Sequence, residues 1–176
     1  MRPLALLLLA GALATPPEPV AFPKAREAKD PTGRFTVVSS PVAGGASGFE
    51  LRLEGGTTPR AFRSFRGTAV VFWSPDGNAV AVTDRRSGGA TAWLFFPERP
   101  GEVDLDAELS KALGPLPERS GNAHVFLEVV RWLDARRLRL RLHGWGKHDP
   151  EGYDELFDYE LGGRFRRSNG LEIPVR

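Results

Sequence analysis

The sequence predicts an all-β protein: an antiparallel meander of blade-like hairpin sheets, either an incomplete propeller-like array or a sandwich, with one short helix near residues 104–113. Three observations predict it. A strand–turn–strand unit at residues 70–83, VVFWSPDGNAVAVT, recurs in form at 124–143. Residues 49–54 and 137–143 alternate strictly between apolar and polar side chains, the period of a half-buried strand. The 20 Gly and 15 Pro are spread between short apolar runs, as turns between many short strands require.

The unit at 70–83 shows how residues dictate such a hairpin. Val70, Val71, Phe72 and Trp73 are β-branched or aromatic, in a run too short for a helix with these flanks. Pro75 presets φ for the second position of a type I turn. Asp76 bonds its own following backbone, and Gly77 supplies a positive φ. Val80 and Val82 then point one way, so the chain has reversed and paired with itself.

Taken in order, residues 1–14 read as a secretory signal peptide. Arg2 gives the positive start, residues 4–13 the apolar core, and Ala12-Leu13-Ala14 a cleavage site before Thr15. The run is well short of the roughly 20 apolar residues of a membrane span, so no stable span is expected after leader removal. Residues 15–29, with Pro16, Pro17, Pro19 and Pro23 among charges, read as a Pro-rich tether. Residues 30–176 form the expected β domain, with blade-like units near 30–66, 67–100 and 123–168.

Within that domain, Asp30-Pro31-Thr32-Gly33 is a turn of the Pro75 kind, leading to a strand at 35–39. Residues 43–48 are a small-residue loop. In 49–54, Phe49, Leu51 and Leu53 share one face and Glu50, Arg52 and Glu54 the other. A weak strand at 61–66 precedes the central hairpin, and a further strand at 91–96 ends at Pro97. Residues 104–113 are the one convincing helix. Leu105, Leu109, Ala112 and Leu113 share a face, Asp104 and Asp106 favour its N-terminus, and Gly114-Pro115 stops it. Residues 124–132 and 137–143 repeat the hairpin, followed by a strand at 155–161.

Residues Phe72-Trp73-Ser74-Pro75-Asp76-Gly77-Asn78-Ala79-Val80-Ala81-Val82 resemble the signature of β-propeller blades in the Tol-system periplasmic and prolyl-oligopeptidase-type families. The match is local, and looser around 132–140. It implies blade-like antiparallel sheets, in which that turn joins two middle strands, and it carries over no catalytic residue.

Composition bounds the function. With 24 Lys+Arg against 22 Asp+Glu and no basic block, no nucleic-acid partner is expected. The absence of cysteine removes disulfides, thiolate metal sites and cysteine nucleophiles together, and fits an exported bacterial protein, periplasmic or extracellular. No Gly-x-Ser-x-Gly elbow surrounds any serine, and Gly44-Gly45 and Gly88-Gly89 open no helix, so no catalytic residue and no cofactor are assigned. His124 reads as a structural histidine starting a strand.

The richest polar cluster is His143, His148, Asp149, Glu151, Asp154, Glu155 and Asp158. His143, His148, Asp149 and Asp154 are its candidate ligands for a divalent metal, but their spacing matches no standard pattern, so no metal is assigned. Among the four Trp, Trp145 lies between two glycines and is the one expected to be exposed.

The expected function is therefore a non-enzymatic binding or scaffold module whose partner is a protein or an envelope ligand. The alternative is a small metal-dependent hydrolase using residues 143–158. A weaker one is a polyanion binder using Arg136, Arg137, Arg139 and Arg141. The expected core is Phe72 or Trp73, Val80, Val82, Trp93, Val130, Trp132, Leu138 and Leu140. Residues 137–143 and 155–161 are expected to pair where their numbers sum to 299, setting Arg139 against Glu160 and Arg141 against Asp158.

Overall fold

The computed structural model describes residues 16–42, 47–56, 59–113, 124–147 and 150–168. The signal peptide reading at 1–14 lies outside these residues. The described chain forms β1 (Val20–Phe22), β2 (Glu27–Lys29), β3 (Thr36–Pro41), β4 (Phe49–Glu54), β5 (Arg60–Phe65), β6 (Thr68–Trp73), β7 (Val80–Arg86), β8 (Gly89–Phe95) and β9 (Glu102–Asp104). The helix α1 (Leu105–Leu113) follows, then β10 (His124–Trp132), β11 (Arg137–Trp145), β12 (Tyr153–Glu160) and β13 (Arg164–Arg167). The described residues are mostly β, with one short helix among them. The larger sheet runs β1-β6-β7-β8-β10-β11-β12-β13, with β9 also on β8, and the smaller runs β2-β3-β4-β5. Among the described residues they close into neither a barrel nor a propeller.

The central hairpin folds as its residues require. Ser74 N–H donates to Ala79 O and Gly77 N–H to Ser74 O, both at 2.9 Å, with Gly77 at φ 70°. The Ser74 hydroxyl donates to Asp76 Oδ1 at 2.7 Å and accepts Ala79 N–H at 3.0 Å. Burial alone would raise the pKa of Asp76, but these hydrogen bonds, with those from Asn78, outweigh it and hold the carboxyl below its ordinary value. The turn at 30–33 abuts this one: a Cβ on Gly77 would stand 2.4 Å from Asp30 Oδ2. Arg34 ties the two turns to the 96–99 link, through Asn78 at 2.8 Å and Glu98 at 2.7 Å.

Both Phe72 and Trp73 are buried, one on each face of β6. Val70, Phe72, Ala79 and Ala81 join a core with α1 and β10–β13, whereas Val71, Trp73, Val80 and Val82 join a core with the smaller sheet. Burial on both faces is why this stretch is an unbroken apolar run rather than an alternating one. The two indoles are anchored alike: Trp73 Nε1–H donates to Ala28 O at 3.0 Å and Trp132 Nε1–H to Phe72 O at 2.9 Å.

Four expectations need correction. Residues 15–29 are not a tether from 20 onward. Val20, Ala21 and Phe22 pair with Val71, Val70 and Ala69, and β2 pairs with β3. Phe22 and Ala28 are buried. The prolines fall outside both short strands and so cost no ladder hydrogen bond. Second, the units at 67–100 and 123–168 are not separate blades but halves of one sheet, joined where β8 and β10 run parallel. A parallel step needs a crossover, and α1 lies in that connection.

Third, the β11–β12 register sums to 297: Leu138 faces Tyr159, Leu140 faces Phe157, and Arg139 faces Asp158. A slip of two residues keeps every side chain on its predicted face, so alternation alone cannot choose between the two registers. The register is fixed by Leu161 N–H donating to Arg136 O at 2.8 Å and by Asp158 meeting Arg139. Fourth, Val130 is 41% exposed. A bulge between Val129 and Arg131 turns it out and leaves Val129 and Trp132 in the core. Of the other expected core residues, Trp93 is half-buried, covered by the Arg63 guanidinium at 3.5 Å, and the rest are buried.

Candidate functional site

The smaller sheet packs against one face of β6–β8, and nothing among the described residues packs on the corresponding outer face of β10–β13. On that side lie the large apolar side chains that stay exposed among the described residues: Val130 at 41%, Trp145 at 47% and Leu156 at 40%. Strand alternation puts them there. Leu127, Val129, Leu138, Leu140, Leu142, Phe157 and Tyr159 turn inward, which leaves His124, Phe126, Glu128, His143, Trp145, Asp154 and Leu156 on the other side.

One end of this face is aromatic. His124 stacks on Trp145 at 4.8 Å, Trp145 on Phe126 at 5.4 Å, and Phe126 on His143 at 4.9 Å. The rings pair because His124 stands opposite Trp145, and Phe126 opposite His143, in the β10–β11 register. Gly144, between those two pairs, has no room for a side chain: a Cβ would lie 2.2 Å from His124 O. Beside the stack, Arg141, His143, Trp145, Glu151, Tyr153 and Asp154 line a cavity of about 400 Å³.

The other end is ionic. Glu128 accepts from Arg85 Nε at 2.7 Å and lies 3.3 Å from His143 Nε2. Arg141 grips Asp154 through Nε and a terminal nitrogen, at 2.8 and 2.5 Å, and holds that carboxyl below its ordinary pKa. Arg139 grips Asp158 in the same two-pronged way, at 2.7 and 3.0 Å. Arg137 meets Asp134 at 2.6 Å. Three of the four arginines expected to attract a polyanion are thus matched by carboxylates. Arg136 has no side-chain partner among the described residues.

Of the candidate metal ligands, His143 and Asp154 come together, opposite each other across β11 and β12. His148 and Asp149 lie outside the described residues. Among the described residues no three histidine or acidic side chains are grouped to hold a cation, and both Asp154 oxygens already accept from Arg141. Asp154 and Asp158 share the outer face, whereas Glu155 follows the inward alternation of Phe157 and Tyr159, with Arg167 at 3.6 Å. His124 is half-buried in the ring stack rather than in the core. Sequence reasoning missed Phe126 and Glu128. Their signal was present, because His124, Phe126 and Glu128 alternate with Val125, Leu127 and Val129, but a phenylalanine gives no hint that its face is the wet one.

No family model matches this chain, and no curated protein does.

Proposed function

We propose that this chain is an exported, non-enzymatic binding or scaffold module of the bacterial envelope, and that it recognises its partner through the outer face of β10–β12. One observation carries the reading. Trp145, 47% exposed with the rings of Phe126, His124 and His143 stacked beside it, stands on the half of the larger sheet that nothing among the described residues covers. Scattered exposed apolar residues such as Val130 and Leu156 need no explanation, but an exposed aromatic cluster fits an interaction site. Export is supported by the leader-like residues 1–14 and the absence of cysteine. The carboxylates on the face are engaged by arginines rather than poised as acids or bases, which favours recognition over hydrolysis.

The test is affinity capture from the native envelope with wild-type protein and with a Trp145→Ser, Leu156→Glu double variant. Both positions are exposed, so the variant should fold. A partner held by wild type should bind the variant at least about 30-fold more weakly, the loss expected of one interface hot spot of about 2 kcal/mol. Equal capture by both proteins would reject the face. Metal analysis of the same preparations bears on the alternative: stoichiometric metal, lost in His148→Ala, would favour the hydrolase.

A further inference from the structure

A second site shares no residue with that face. We infer that the cavity at the seam of the two sheets binds a small organic anion, a carboxylate or phosphate group carried on an apolar body. The cavity measures about 640 Å³, within the roughly 300–1,000 Å³ usual for small-molecule sites. Pro23 and Arg26 reach it from the link between β1 and β2, Ser39 and Pro41 from the end of β3, Phe49 from the start of β4, and Arg66 from just after β5.

Its charge sets it apart. Among the described residues four arginines have no side-chain partner: Arg26, Arg66, Arg131 and Arg136. Two of the four, Arg26 and Arg66, line this one cavity, and no carboxylate is among the described residues that line it. Each of the other described cavities includes at least one aspartate or glutamate in its wall. The carboxylates nearest in register, Glu27 and Glu50, follow the outward alternation of the smaller sheet and meet Lys29 at 3.5 Å and Arg52 at 3.9 Å. Two unmatched guanidiniums at one cavity suit carboxylate or phosphate oxygens, which each fork can take bidentately.

The rest of the wall suits an apolar body with polar contacts from Ser39 and Ser40. Phe49 is buried and stacks on Phe65 at 5.7 Å, and Pro23 and Pro41 flank it. Ser39 follows Val37 in the inward alternation of β3, where a core residue would otherwise stand. Ser40, Gly48 and Gly67 complete the lining. A Cβ at either glycine would strike backbone, 2.3 Å from Phe65 O and 2.0 Å from Arg85 O, so neither position can carry a side chain to fill the space.

The experiment is calorimetric titration of the full chain with decanoate and decyl phosphate, each below its micelle-forming concentration. Inorganic phosphate and decyltrimethylammonium serve as comparators. Both decyl anions should bind one per chain, and a preference between them identifies the head group. Arg26→Gln and Arg66→Gln should each weaken binding about tenfold or more, as loss of a charged hydrogen bond does, and together abolish it. Both arginines are exposed, so the variants should keep the wild-type melting temperature. Trp145→Ser should bind as wild type does, which separates this site from the β10–β12 face. Binding of the cation as tight as the anions, binding retained in the double variant, phosphate binding as tight as its decyl ester, or no heat at millimolar ligand would each overturn the assignment.

Discussion

Replacing Asp106 by asparagine should make the protein more stable at neutral pH and should flatten part of its pH dependence. Asp106 sits in the first turn of α1, where Asp104 caps the helix by accepting Ala107 N–H at 3.0 Å. It does a different job: Oδ2 accepts Ala92 N–H at 3.1 Å, on a stretch of β8 between its pairings with β10 and β9. Burial dominates and pushes its pKa from 3.8 up to about 6, Asp104 adds repulsion, and the Ala92 hydrogen bond opposes both. Because the folded carboxyl holds its proton more tightly than the unfolded one, its contribution is fully present below about pH 4. It falls as pH rises through about 6. A shift of about two units, at ~1.36 kcal/mol each, gives about 3 kcal/mol lost between pH 4 and 7. The carboxamide of the Asp106→Asn variant would keep an acceptor for Ala92 and never ionise. Urea titrations of both proteins from pH 4 to 8 should give a stability difference that grows by about 1–3 kcal/mol in favour of the variant, most of it between pH 4 and 6. A difference independent of pH would refute the reasoning.

Other perturbations follow from buried geometry. Trp132→Ala should cost about 3–5 kcal/mol in denaturant titration, since it empties a buried indole site and removes the Nε1–H bond to Phe72 O. Gly77→Ala should cost about 1–3 kcal/mol by thermal or chemical unfolding, because φ 70° disfavours any Cβ and the new methyl would strike the Asp30 carboxylate. Thr83→Val keeps shape but removes the acceptor for Val129 N–H, at 2.9 Å in the core, and should cost about 1–3 kcal/mol. Amide exchange at Val129 should rise with it.

Legibility in the sequence tracked local chemistry. The turn at Ser74–Gly77, the helix at Leu105–Leu113 and the alternation of β4, β11 and β12 could be read because a few neighbouring residues decide each. What escaped was set by partners distant in sequence. Val20–Phe22 is a strand only because β6 offers an open edge, and Pro19 and Pro23 on either side masked it. Val130 looked like core because a bulge leaves no mark in an apolar run. Half of the candidate face was legible: Trp145 stood out between its glycines, but the stack of Phe126 and His124 beside it depends on the β10–β11 register.

The composition of that face also limits how a partner can cover it. Desolvating the pairs Arg139–Asp158 and Arg141–Asp154 would cost more than their attraction returns unless every remaining donor and acceptor were matched. Left wet, each pair contributes well under about 1 kcal/mol and mainly holds the strands in register. Within the ring stack, Trp145 and Phe126 carry no such penalty, and burying their exposed edges is favourable. A partner is therefore expected to centre on the ring stack around Trp145 and leave the arginine–carboxylate ladder, beginning with Arg141–Asp154 beside the neighbouring cavity, at its rim. Charge changes along that ladder should then alter the rate and salt dependence of association more than its lifetime. Truncation of Trp145 should shorten the lifetime directly.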